Sequence, residues 1–515
     1  MAQRNKIAGA FAKCIAAMLL GTVLLTGCGG GQIKEVDVES LEKGSANTGG
    51  SLHDPFVIQG DDGTFYCYGS HMTAATSTDL YKWKSWANGV TKNNKIYDNL
   101  LVEPFAAFSY VGKGEQGDYS VWAPSVIYNK TTGKYIMYFC TTCSYIQSNL
   151  CMAQSDNPGG PYHYIGTYIY YGFMKPNLSK TNYYDIMGED KTVRDRYITA
   201  VGYNNQLWPN AIDPAMFYDR DDRLWMVYGS WSGGIFLLEL DPETSQPIHP
   251  ETDDGKEVDK YFGTRLVGGN HHAIEGPFIQ YDAETDMYYL YLSYGALQAN
   301  GGYQIRVFRS ENPDGPYVDA SGHTLGINDD LDHFENYGTK LMGNYTLPTL
   351  KTTYMAPGGQ STFEADGKRY IVYHQRFLNR NEEHSVRVHQ MAMNSDGWPC
   401  IFPFQTNGEE LSADGYTEET VRGVYYLVDH GLSVDASVNE PVKCTFNRGK
   451  ITGDMTGSYE LEEGTNYIDV RLGDAQFKGV LVDMPDEAGN PTRCLTAVSD
   501  NNHALWGVRY LEGAE

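Results

Sequence analysis

Three acidic residues stand at related points of the chain: Asp54 in His53-Asp-Pro55, Asp213 in Ile212-Asp-Pro214, and Glu275 in Ile274-Glu-Gly-Pro277. An acid beside proline is ordinarily a turn or cap residue, because its short carboxylate bonds nearby backbone. Three such acids at corresponding points of one repeat are a different matter. Brought together, they repel and lose hydration, a cost that a function or a cation must offset. Carboxyl groups so placed suit glycoside hydrolysis. One carboxylic acid protonates the leaving oxygen, and a carboxylate activates water or attacks directly. A third acid can keep the donor protonated by repulsion and orient it by hydrogen bonding.

The elements that must position them recur. Five segments, from His53, Trp122, Ile212, Glu275 and Ala356, each read as a short strand, a polar Asp/Gly/Thr turn and a second aromatic-rich strand. From Pro124, Pro214, Pro277 and Gly359 an aromatic follows at +11 and a Tyr at +14; the first copy is one residue shorter. Starts lie 63 to 90 residues apart, which leaves room for two further strands in each unit. Repeated four-stranded units are propeller blades. The expected fold is all-β: a five-bladed β-propeller over residues 51–404, then a small β-sandwich or barrel over 405–515. In a propeller the first strand of each blade lines the axis, so blade starts converge. Those slots hold Asp54, Asp213 and Glu275, with Ala123 and Gly358 in the other two copies. The acidic hairpin turns lack the EF-hand pattern and read as solvated turns.

Composition narrows the partners. The chain has 515 residues, 40 Tyr, 56 Gly and a formal net charge of −26. No basic track for phosphates is present, which argues against nucleic acid and polyanions. A neutral glycan fits. Residues 1–27 carry Arg4, Lys6 and Lys13 ahead of an apolar run that ends Leu24-Leu-Thr-Gly-Cys28, and read as a secretory signal. The tetrad Leu25-Thr-Gly-Cys28 resembles a bacterial lipobox, which implies cleavage before Cys28, lipidation of its thiol and a bacterial cell-surface or extracytoplasmic location. Residues 28–50 read as a lipidated Cys and flexible tether. Seven Cys remain beyond Cys28. Cys140-Thr-Thr-Cys143 lacks a second CxxC for zinc and ends a strand, so it reads as packing or an incidental disulfide.

The three acid motifs, their order and the repeat resemble glycoside hydrolase family 43 over residues 50–404. Further agreement comes from Ser77-Thr-Asp-Leu-Tyr-Lys-Trp83, Trp122-Ala-Pro124, Tyr228-Gly-Ser-Trp-Ser-Gly-Gly234 and Asp396-Gly-Trp-Pro399. The resemblance implies a propeller enzyme that inverts, with Asp54 as general base, Glu275 as general acid and Asp213 tuning and orienting Glu275. Inversion places base and acid about 6.5–9.5 Å apart. Within the family, residues 228–241 and 270–279 and the C-terminal domain resemble endo-acting 1,5-α-L-arabinanases. That likeness implies plant cell-wall arabinan or arabino-oligosaccharides as substrate and a calcium ion near the axis, close to His374 in Tyr373-His-Gln375. His53, Trp122, Trp231 and His272 are candidate substrate contacts, with Phe105 a further aromatic. His271-His272 lacks the HExxH spacing of a zinc helix. Where such enzymes often read Pro-Gly-His-Asn-Ser, this chain reads Pro357-Gly-Gly-Gln-Ser361. Two other readings stay open: an exo-acting arabinofuranosidase or β-xylosidase on the same scaffold, and a non-catalytic glycan-binding lipoprotein.

Overall fold

Five four-stranded antiparallel sheets follow one another, each in sequential strand order except for additions to the third. The computed structural model describes residues 33–329 and 332–512, so the signal and the lipidation expected at Cys28 lie outside the described residues. Blade one comprises Phe56–Gln59, Phe65–Gly69, Thr73–Ser77 and Lys84–Ala87; blade two comprises Ser120–Asn129, Lys134–Ser144, Gln147–Ser155 and His163–Tyr171. Blade three is built on Ala215–Tyr218, Leu224–Tyr228, Ile235–Leu240 and Gly263–Val267, with two short additions, Pro247–Ile248 and Val258–Asp259. Blade four comprises Ile274–Asp282, Met287–Tyr294, Gln304–Ser310 and Thr339–Met342; blade five comprises Tyr354–Ala365, Lys368–Phe377, His384–Met393 and Pro399–Ile401. The second strands are buried almost throughout, as in Tyr289, Leu290, Tyr291 and Leu292. Near-continuous apolar burial of this kind belongs to sheets covered on both faces.

The sandwich-or-barrel alternative resolves as a barrel. Eight strands from Gly423–Asp429 to Ala504–Tyr510 form a closed ring, with Tyr426 opposite Val508 and Val428 opposite Trp506 at the closure. Closure leaves no exposed edge. One apolar cluster runs from blades three to five into the barrel through Val480, Val482, Cys494 and Trp506. At the seam Arg387 and Glu487 form an ion pair at 2.5 Å, with side chains 0% and 1% exposed. The seven Cys from Cys67 to Cys494 are all free thiols, and Cys140 and Cys143 lie on one strand.

Residues 35–50 are not the flexible tether that their Gly/Ser-rich composition suggests. Gly44 N–H donates to Thr349 O, and Lys351 N–H donates to Gly44 O, both at 2.8 Å. Thr48 O accepts from Trp83 N–H, Gly50 O accepts from Val386 N–H, and Thr48 Oγ1 donates to Val386 O. The segment therefore runs between blades one and five. Leu52, Val57 and Trp83 share a core with Tyr370, Val386 and Val388 there, and this seam closes the ring.

Candidate active site

Each blade begins with a backbone feature that sequence spacing alone does not show. Asp54 (φ 51°), Ala123 (φ 43°), Asp213 (φ 53°), Gly276 (φ 59°) and Gly359 (φ 58°) all adopt the left-handed region. Strand pairing skips at these points, from Trp122 to Ser125 in blade two and from Glu275 to Phe278 in blade four. These are bulges that break the ladder at the rim of the axis. A left-handed non-Gly residue costs roughly 1–2 kcal/mol, and strain of that kind clusters where a site requires it. The five left-handed turns meet: Asp54–Phe56, Ala123–Ser125, Asp213–Ala215, Gly276–Phe278 and Gly359–Ser361 line one axial cavity.

This register corrects the expected one. Asp54 and Asp213 occupy equivalent slots, but the corresponding residues of blades four and five are Gly276 and Gly359. Glu275 and Gly358 stand one residue earlier, in the place that Trp122 takes in blade two: each is the last paired residue before the skip. Glycine is required at Gly359, where a Cβ would lie 2.5 Å from Asp54 Oδ1 and 2.8 Å from His374 Nδ1.

The three acids sit in different surroundings. Asp54 Oδ2 is 2.8 Å from His53 Nδ1 and accepts from Ser70 Oγ at 2.5 Å. Burial works against its charge, but His53, the Ser70 hydrogen bond and His71 outweigh it and hold the carboxyl below the ordinary Asp range. Asp213 Oδ2 accepts from Gly276 N–H at 3.0 Å. Burial, then the charges of Glu275 and Asp54, push its carboxyl well above the ordinary range. Glu275 accepts from Ser230 Oγ at 3.0 Å and Tyr303 OH at 2.9 Å. Burial raises its carboxyl, and those two hydrogen bonds only partly oppose the rise. The three acids thus differ, with Asp54 favoured as the ion and Asp213 and Glu275 favoured as the acid, the division of labour that acid–base chemistry at one bond needs.

His374 is fully buried and stacks on His53 with ring centroids 4.0 Å apart. Its Nδ1 accepts from Asp54 N–H at 3.4 Å and lies 3.9 Å from Asp54 Oδ1. Burial, then His53, Arg376 and His384, hold the imidazole well below its usual range, so it is neutral. His53, Asp54 and His374 bring their ligand atoms within 4.8 Å of one another, and the Nε2 atoms of both His are buried without a protein partner. Two imidazole nitrogens and one carboxylate oxygen do not form the cage of six to eight oxygens that calcium takes. Calcium here would need most of its oxygens from water.

The other expected contacts fall in varied places. Trp122 is half-buried, one residue before the blade-two bulge. Trp231 is 36% exposed, and its backbone N–H donates to Ile274 O beside Glu275. His53 partners Asp54 rather than pointing to open solvent. His272 is 1% exposed, with Nε2 3.1 Å from Asp329 O, a placement that fixes a loop; the exposed imidazole of the pair is His271. Gln360 donates to Gly276 O at 2.8 Å and accepts from Ser293 Oγ at 2.8 Å, so it ties blade five to blade four. Sequence reasoning missed Ser70, Ser230 and Tyr303. The two serines carried a signal, since Tyr-Gly-Ser ends the second strand of both the first and third copies.

Family models and known proteins match most of the chain. Residues 167–399 match the family described as glycosyl hydrolases family 43, and residues 403–507 match a C-terminal lipocalin-like domain. The chain is similar to the extracellular endo-α-(1→5)-L-arabinanase 2 of Bacillus subtilis, 37% identical over 89% of this chain and 93% of that one. It is also similar to the extracellular endo-α-(1→5)-L-arabinanase of Thermotoga petrophila, at 35% over 90% and 94%. A family 43 glycoside hydrolase of Bacillus licheniformis superposes with a TM-score of 0.77 at 35% identity, covering 91% of this chain and 99% of that one. With five left-handed blade starts around one axial cavity and relatives that match it nearly end to end, the chain belongs to glycosyl hydrolases family 43.

Proposed function

We propose that the protein hydrolyses internal α-1,5 bonds of arabinan by inversion. The observation that carries the reading is the contrast at the axis, where Asp54 is held ionised while Glu275 and Asp213 are raised. Asp54 takes a proton from the attacking water. Glu275 gives its proton to the glycosidic oxygen as the bond to the anomeric carbon breaks. Asp213, bonded to Gly276 N–H beside Glu275, keeps that proton in place by repulsion and fixes the strand that carries the acid. The endo reading and the glycan follow from the two arabinanase relatives, each matched over nine-tenths of its length.

Glu275→Ala tests the acid. Cleavage of arabinan should fall by about a thousandfold or more, while an aryl glycoside with a good leaving group keeps much of its rate, because it needs little protonation. Equal loss on both substrates would contradict the role.

Two attachments belong to the same proposal. A calcium ion is held through water near His374, and a lipid at Cys28 holds the enzyme at the cell surface. Chelation should lower turnover, with calcium and not zinc restoring it. Cys28→Ser should leave the detergent phase on partitioning. Restoration by zinc alone, or unchanged partitioning, would remove the corresponding attachment.

A further inference from the structure

Two hydroxyls reach the Glu275 carboxylate. Ser230 follows the second strand of blade three. Tyr303 stands just before the third strand of blade four, 2% exposed, and donates to Glu275 Oε1 at 2.9 Å. Its ring is held on several sides. A Cβ on Gly358 would overlap it, so glycine there makes its room. The His374 ring lies nearly parallel at 5.7 Å. Tyr303, Met355 and Ala356 form a small buried cluster, with Leu297 and Val438 packed against it.

Val438 does not come from the propeller. It belongs to the barrel segment between Gly423–Asp429 and Val442–Asn447. That segment is fastened to blade four. Ser433 O accepts from Gln304 Nε2 at 3.1 Å and from the buried Lys340 Nζ at 3.0 Å. Asn344 Nδ2 donates to Ser437 O at 3.2 Å. Gly302, beside Tyr303, lies so close that a Cβ there would be 2.7 Å from Asp435 N.

We propose that Tyr303 is a positioning residue for Glu275 and that the barrel loop around Val438 holds it there, which gives the C-terminal domain a part in catalysis. The inference rests on Glu275 as general acid. The Glu275 proton moves to the glycosidic oxygen, which also takes the electron pair of the breaking bond. Water bonds to the anomeric carbon and loses its proton to Asp54. Glu275 is left as a carboxylate, and the Tyr303 hydrogen bond is stronger to that ion than to the acid, so it favours the transition state over the ground state. Tyr303 keeps its own proton, because burial and then the charges of Glu275 and Asp54 raise its hydroxyl well above the usual range. The other ionisable groups acting on Glu275 are Asp54 and His53 from blade one and Asp213 from blade three. Tyr303→Phe leaves all three in place.

The test uses the full chain with Tyr303→Phe. Losing a donor to the carboxylate should move the alkaline limb of kcat/KM on linear arabinan up by about one pH unit. The kcat should fall about tenfold, with KM and unfolding midpoint little changed because the ring remains. Val438→Ala should move the limb the same way by less, and the double variant should move it no further than Tyr303→Phe alone. Titration of 13C-labelled Glu carboxyls without substrate, assigned with Glu275→Gln, should show the same shift. That arm judges the positioning claim even where linear arabinan proves not to be the substrate. An unmoved limb and an unmoved carboxyl titration in Tyr303→Phe would overturn the proposal. Additive shifts in the double variant would overturn the part assigned to the barrel loop.

Discussion

At the residue scale, the site is a contrast among three carboxyls set by their neighbours. Asp213 is the costliest of them, buried near Glu275 and Asp54 with one backbone donor. A carboxyl whose folded pKa is raised contributes fully below its unfolded value and loses that contribution as pH rises toward the folded value. Asp213→Asn removes the charge while Asn Oδ1 still accepts from Gly276 N–H. The variant should therefore be more stable than the parent at neutral pH, with the difference closing below about pH 4, while arabinan turnover falls steeply. Unfolding midpoints across pH check this, and a variant less stable at pH 7 would contradict it. Asp54, Asp213 and Glu275 were legible because they recur at fixed points of a repeat. The one-residue offset of Glu275 is legible too, since Glu275 stands two residues before Pro277 while Asp54 and Asp213 each stand one before their proline. Tyr303 is not legible. It follows Gly301-Gly302 in a loop outside the repeat, and only the fold brings it to Glu275.

At the element scale, the blades were legible because each hairpin repeats aromatic positions at fixed spacing, and local alternation and turn chemistry settle such units. What joins elements was less so. Whether the C-terminal strands make a sandwich or a barrel depends on pairing between Gly423–Asp429 and Ala504–Tyr510, far apart in the chain. Residues 35–50 have the composition of a linker, yet Gly44, Thr48 and Gly50 spend their backbone groups on Thr349, Trp83 and Val386. With the Lys351 N–H bond to Gly44 O and the Thr48 Oγ1 bond to Val386 O there are five such hydrogen bonds, and at about 1 kcal/mol each a chain starting at residue 51 should be up to about 5 kcal/mol less stable than one starting at residue 35. Urea unfolding of the two chains measures the difference. Equal stability would show that the seam between blades one and five closes without the segment.

At the scale of the whole molecule, propeller and barrel share a core and a buried ion pair, and Val438 of the barrel segment packs against the cluster that holds Tyr303. The net acidic charge argues against polyanions and is consistent with the neutral glycan proposed. Sizing the products of debranched, linear arabinan at low conversion tests the proposed cleavage within the polymer. A rapid fall in polymer mass with short arabino-oligosaccharides as the first products is expected. Arabinose alone, released while the polymer keeps its length, or activity confined to xylosides, would contradict it.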